Sequence, residues 1–161
     1  MNSRSRVLTT LQHRVPDRVP IDLGGMRSTG ITAIAYNRLL DYLGIEGMAK
    51  VADTGQQLAD VEEPVRQRFH VDVAALDMVG ADWVRQDCAW QTWQLADGSS
   101  CMVPVTFNPV LDENGDWVIR DAYGRTTARM PKDGYYFDGL YHPLAEVDTI
   151  EGVDAMVEHW Q

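Results

Sequence analysis

The stretch Val19-Pro20-Ile21-Asp22-Leu23-Gly24-Gly25-Met26-Arg27-Ser28-Thr29-Gly30 sets the fold class that the sequence suggests. Pro16 and Pro20 hold the backbone extended, so residues 19–23 read as a short strand, which Gly24 and Gly25 then break. Beyond the loop, Ile31, Ile34, Ala35, Leu39 and Leu43 line one side of a helix, capped by Ser28 or Thr29 and stopped at Gly44. Strand, glycine loop and helix in that order open an α/β unit.

Upstream, Asn2 or Ser3 caps a short helix with Val7, Leu8 and Leu11 on its apolar face, Arg4 and Arg6 on the other, and Pro16 as its limit. Downstream, Leu58, Val61, Val65 and Phe69 recur at helical spacing, and Pro64 means that this helix starts near Glu62 or bends there. Val71-Asp72-Val73-Ala74-Ala75-Leu76 reads as a second strand. The period then changes to two. Residues 90–95 and 100–105 flank an Asp97-Gly98 turn, and residues 117–120 and 126–130 flank Asp121-Ala122-Tyr123-Gly124, which predicts two hairpins in a β-rich insert. Leu144, Val147, Ile150, Val153, Met156 and Val157 are spaced for an amphipathic helix running out at Trp160-Gln161. A parallel sheet buries both faces and needs several neighbours, so two α/β strand candidates make the chain read as unfinished.

The 161 residues are 45% apolar and 24% charged, which is globular composition with room for one sizeable core. Apolar runs fall far short of the ~20 residues of a membrane helix, and the first residues lack the apolar core of a secretion signal, so the expected location is cytoplasmic. The net charge of -10 repels a phosphate backbone and argues against nucleic acid as a partner. Residues 1–80 carry 9 basic and 10 acidic groups against 5 and 14 in residues 81–161, which places any anion site in the first half. Cys88 and Cys101 have no CxxC pattern and no histidine at ligand spacing, so both read as reduced and structural, and no metal is expected.

The loop of residues 24–30 lies between a strand end and a helix N-terminus, where backbone N–H groups and the helix dipole favour an anion. Arg27 adds a planar fork for a carboxylate or phosphate; the plainer reading is a solvated arginine on a loop that only turns the chain. Gly30 is followed by Ile31-Thr32, not by Lys and Ser or Thr, and GxGxxG is absent, which excludes those two nucleotide sites. Asp112-Glu113-Asn114-Gly115-Asp116 spaces oxygen donors like the opening of a calcium loop, but Trp117 and Tyr123 occupy the sixth and twelfth places, so it reads as a hairpin turn. His13, His70, His142 and His159 are scattered and build no triad. Asp22, Asp72 and Asp77 stand near strand ends, where α/β enzymes draw catalytic groups and where Asp also serves as a capping residue. Trp90, Trp93, Trp117, Tyr135 and Tyr136 concentrate in the insert, for stacking on a flat ligand or for packing the small sheet.

Ser3-Arg4-Ser5-Arg6-Val7-Leu8, followed by His13-Arg14-Val15-Pro16-Asp17-Arg18-Val19-Pro20-Ile21-Asp22-Leu23-Gly24, resembles the opening of uroporphyrinogen decarboxylase-like proteins, a superfamily that also holds corrinoid-dependent methyltransferases. Arg68-Phe69-His70-Val71-Asp72-Val73, Asp121-Ala122-Tyr123-Gly124, Met130-Pro131-Lys132-Asp133-Gly134-Tyr135-Tyr136-Phe137-Asp138 and His142-Pro143-Leu144-Ala145 continue the likeness in order. The resemblance implies a TIM barrel, which takes ~250 residues. Met26, Arg27 and Gly30 match a Met-Arg-Gln-Ala-Gly-Arg run whose arginines face substrate carboxylates, with Ser28 and Thr29 for its Gln and Ala and Ile31 for its second arginine. The decarboxylase's key aspartate has only Leu76-Asp77 as a loose counterpart, and the His-x-Cys pair of zinc-using relatives does not occur.

The reading that results is α/β: the N-terminal part of a TIM (β/α)8 barrel with a β-hairpin-rich insert, an incomplete barrel. Residues 1–87 would form the first barrel elements, 88–140 the insert and 141–161 the start of the next helix, in a single incomplete domain. The resemblance implies a fragment of a uroporphyrinogen decarboxylase-like enzyme, of the methyltransferase-like branch with methyl transfer involving a corrinoid, and too short to act alone. The alternatives are uroporphyrinogen decarboxylase proper, a lyase of tetrapyrrole biosynthesis, and a non-catalytic interaction module that dimerises or binds a partner chain through exposed sheet edges. Arg27 is the substrate contact, with Met26, Gly30 and Asp22 as weaker ones; no catalytic group is named. No cofactor is expected in this chain, zinc and a corrinoid belonging to a full-length relative. The expected partners are a small carboxylated molecule or a corrinoid protein, with self-association of the piece, and neither nucleic acid nor membrane.

Overall fold

The computed structural model describes residues 1–75, 89–142, 144, 145 and 147–159, and side chains as far as residue 155. The chain divides into two compact units, Met1–Asn108 with Asp133–Phe137, and Pro109–Lys132 with Asp138–Gln161. Both are built on small antiparallel sheets of two to four strands, and no barrel forms among the described residues. This corrects the expected incomplete TIM barrel and its α/β class.

In the first unit, α1 (Ser3–Leu11) is capped by Asn2, whose Oδ1 accepts from the Ser5 N–H at 2.8 Å. A turn of 3-10 helix, Arg27–Thr29, precedes α2 (Ala33–Leu43), which Thr32 caps and Gly44 ends at φ +65°. β1 (Val51–Asp53) and β2 (Leu58–Ala59) pair antiparallel. α3 (Glu63–Arg68) has Glu62 at its cap and Pro64 in its first turn, where the missing N–H costs nothing. β3 (Trp90–Gln94) and β4 (Ser100–Pro104) form the hairpin predicted about Asp97-Gly98. The core gathers Ala33, Tyr36 and Leu40 from α2 with Ala49, Val51, Val61, Val65, Cys101 and Val103. Tyr36 is fully buried and its hydroxyl accepts from the Glu62 N–H at 3.0 Å. Asn37 ties α2 to both hairpins by accepting from the Ala49 N–H at 2.7 Å and donating to the Ser100 carbonyl at 2.9 Å.

The two segments read as barrel strands form no ladder. Residues 19–23 and 71–75 share one backbone hydrogen bond, from the Asp72 N–H to the Ile21 carbonyl at 2.8 Å, and Leu76 and Asp77 lie outside the described residues. Pro20 has no N–H to extend the pairing, and the polar side chain of Asp72 takes the Ile21 N–H at 3.0 Å. The helix faces are also corrected. α2 begins at Ala33 after the Thr32 cap, and its buried residues are Ala33, Tyr36 and Leu40, while Ile31, Ile34 and Leu39 are half-buried and Ala35 is exposed. α1 is turned over: Arg6 is 6% exposed while Leu11 is 70% exposed. Leu58 and Val61 belong to β2 and the loop after it, not to α3.

Arg6 is inward because it meets two carboxylates. Its Nε donates to Asp17 at 2.7 Å, its Nη2 to the same carboxylate at 2.9 Å, and its Nη1 to Asp72. The Asp72 side chain has no exposure and also accepts from Arg18 through Nη1 at 2.7 Å and Nη2 at 3.1 Å. The hydrogen bond from Arg6 holds Asp17 well below the usual carboxylate range. Burial pushes Asp72 the other way, but the Ile21 N–H, the Ser3 hydroxyl, Arg18 and Arg6 together outweigh it and hold Asp72 low as well.

In the second unit β5 (Val110–Leu111), β6 (Trp117–Arg120), β7 (Thr126–Met130) and β8 (Asp138–Gly139) make an antiparallel sheet in chain order. The β6–β7 hairpin falls where the two-residue period places it, and Asp112 closes the preceding turn by accepting from the Asn114 and Asp116 N–H groups, both at 2.9 Å. α4 (Ile150–His159) follows, with Ile150 77% exposed. No helix among the described residues is long and apolar enough to cross a membrane.

Because the folded-state pKa values of Asp17 and Asp72 lie below the unfolded value of about 3.9, the ion network stabilises the fold above that pH and its contribution is lost as pH falls through and below it. The melting temperature should therefore begin to fall below about pH 5 and fall most steeply below about pH 4. Asp72→Asn should lower it at pH 7 and flatten that acid limb; an unchanged acid limb in Asp72→Asn would place the titrating groups elsewhere.

Candidate functional site

The loop that carries Arg27 is closed by its own backbone. Asp22 Oδ1 accepts from the Gly25 N–H at 2.8 Å, the Gly24 N–H donates to the Thr29 carbonyl at 2.9 Å, and the Gly30 N–H to the Arg27 carbonyl at 3.1 Å. The Thr29 hydroxyl donates to the Met26 carbonyl at 3.0 Å and accepts from the Met26 N–H at 3.2 Å. Gly24 sits at φ +81°, and a Cβ there would come within 2.6 Å of Val61 Cγ2. Only glycine meets both conditions.

Arg27 leaves this loop with its Nε 2.9 Å from Asp53 Oδ2, its side chain 52% exposed and that of Asp53 10% exposed. Asp53 stands at the end of β1 and closes the next turn, with Oδ1 accepting from the Gln56 N–H at 3.0 Å and Oδ2 from Gln56 Nε2 at 3.3 Å. The same turn reaches α2: Gln57 is buried at φ +55° and its carbonyl accepts from the Ala33 N–H at 2.8 Å. Loop, β1–β2 turn and helix start thus bear on the direction of the guanidinium, and the Asp53 carboxylate meets it at Nε.

The residues expected to accompany Arg27 divide. Met26 is exposed beside it, Gly30 packs against Leu58, and Asp22 is spent on the turn at Gly25. The start of α2 is already satisfied, by the Gln57 carbonyl at Ala33 and by Thr32 Oγ1 at Ala35. Of the anion donors expected at this loop, the N–H groups of Ala33 and Ala35 are therefore already taken, while the arginine side chain stands half-exposed. Asp53 was not among the expected residues. An Asp ahead of Thr54-Gly55 is a local turn signal, but its pairing with an arginine 26 residues earlier leaves no mark in the sequence.

Asp72 belongs to the buried ion network, and Asp77 and Cys88 lie outside the described residues. His13 and His70 are exposed at φ +57° and +53°, His142 is exposed, and Pro143 and the side chain of His159 are outside the description. Cys101 is buried, and burial alone pushes its thiol up to about 11, which keeps it protonated and opposes metal ligation. No group of three His, Cys, Asp or Glu side chains that could hold a metal ion is found among the described residues. Trp93 meets Phe107 edge to face at 5.3 Å, and Phe107 meets Phe137 at 5.6 Å, so part of the aromatic concentration is packing; Tyr135 and Tyr136 are exposed. An open polar cavity of about 370 Å³ lies between Arg18, Glu63, Arg66 and His70, but Arg18 is engaged with Asp72 and Arg66 with Glu63.

Gly24→Ala should destabilise the protein by ~2–3 kcal/mol in urea denaturation, more than Gly44→Ala at ~1 kcal/mol. Both glycines have positive φ, but a Cβ at Gly44 meets nothing within 4 Å. Equal costs would mean that Val61 does not confine the loop. In comparisons with protein-family models, curated proteins and solved structures, the chain matches none.

Proposed function

We propose that this chain is part of a uroporphyrinogen decarboxylase-like protein of the methyltransferase-like branch, and that its loop of residues 24–30 binds a small carboxylated molecule through Arg27. The observation that carries the reading is the half-exposed Arg27 guanidinium, held in one direction by a 2.9 Å contact on a loop closed by backbone hydrogen bonds. A planar fork standing half-exposed on a closed loop offers a carboxylate two parallel donors. The branch is supported by the ordered likeness of the residue runs quoted above and by Ile31 in place of a second arginine, which removes half of a two-arginine grip on a polycarboxylate. A corrinoid, in this reading, is brought by a partner protein. The chain's own part is to bind and orient.

Citrate is a suitable probe, followed by titration calorimetry and by the Arg27 Nε–H resonance. Binding should be weakened about tenfold or more by Arg27→Ala, and nearly as much by Arg27→Lys, which keeps the charge and loses the fork. Equal affinity in all three proteins would remove Arg27 from recognition. An interaction module would leave citrate unbound and show concentration-dependent dimers in sedimentation.

A further inference from the structure

We propose that Asp53 is a built-in competitor for the ligand: it occupies the Arg27 guanidinium as a ligand carboxylate would, and a carboxylated ligand binds by taking that guanidinium over. The inference rests on the reading of Arg27 as the carboxylate contact. Two features support an exchange instead of a permanent pair. The contact joins an exposed partner, Arg27 at 52%, to a sheltered one, Asp53 at 10%, so the arginine side is the one a solute reaches. Asp53 also keeps two other donors, the Gln56 N–H at 3.0 Å and Gln56 Nε2 at 3.3 Å, so departure of the guanidinium does not leave a sheltered carboxylate without hydrogen bonds.

The arrangement sets a threshold for the ligand. A competing carboxylate must outweigh an intramolecular contact made at no translational cost, which a neutral acceptor does not do and a carboxylate that meets the guanidinium with both oxygens does. Neutral esters and amides should not displace Asp53. Asp53 would thus select for charge without touching the ligand.

The test is citrate titration of the full chain and of Asp53→Asn, which retains an oxygen for the Gln56 N–H and loses the charge. Affinity should rise about tenfold, a gain that a merely destabilised protein would not give. The gain should vanish in Arg27→Ala/Asp53→Asn, and citrate triethyl ester should show none. If citrate binds the parent through Arg27 while Asp53→Asn leaves affinity unchanged or lower, the competitor role is overturned and the reading of Arg27 stands. If the parent, Asp53→Asn and Arg27→Ala all fail to bind, that reading falls and this inference with it. A gain that persists in the Arg27→Ala background marks a general charge effect and overturns the competitor role. Should Asp53→Asn not fold, Asp53→Ser keeps a hydroxyl acceptor for the turn; loss of fold in both makes Asp53 a structural requirement and overturns the proposal.

Discussion

The buried carboxylate of Asp72 organises the first unit. It has no solvent contact, yet it stays ionised because Arg6, Arg18 and the Ile21 N–H all donate to it. A charge taken from water is tolerable only with this many partners, and satisfying it constrains everything that supplies them. α1 must turn Arg6 inward, at the expense of exposing Leu8 and Leu11. The Arg18 segment must run beside residues 70–72, where Arg18 also donates to the His70 carbonyl at 2.8 Å. Residues 19–23 and 71–75 are thereby held together through side chains, with a single backbone bond between them.

That arrangement leads to the arginine loop. With residues 19–23 fixed, Asp22 can close the turn at Gly25, and Gly24 can press against Val61 at the start of the next segment. The β1–β2 turn then serves two neighbours at once, Asp53 meeting Arg27 and the Gln57 carbonyl meeting the start of α2. The direction of Arg27 is therefore a property of three separate stretches of chain. A shift in any one of them would move the guanidinium.

Local chemistry made several elements readable. The Asp97-Gly98 hairpin, the hairpin about residues 121–124, the Asp112 turn, the Asn2 cap and the stop at Gly44 all depend on residues within five positions of one another. The loop of residues 24–30 was readable for the same reason, as a glycine-bounded segment before a helix. What misled was amphipathicity where the buried partner is a charge. A count of apolar positions on α1 puts Leu8 and Leu11 inside, because no hydropathy pattern records that Asp17 and Asp72 wait for Arg6. The barrel strands failed for a related reason: prolines and alternating apolar residues specify an extended backbone but not a neighbour to pair with.

Turn types, caps, charge balance and the candidate arginine follow from the amino acids themselves, since each is fixed by a few adjacent residues and their short-range sterics and hydrogen bonds. Which strands pair, which face of α1 and α2 is buried, and which carboxylate meets Arg27 were settled only by tertiary structure. Those outcomes depend on contacts between residues 26 to 66 positions apart, such as Arg27 with Asp53 and Arg6 with Asp72. Their free energy comes from desolvation and charge pairing, which exist only once the chain has closed around them.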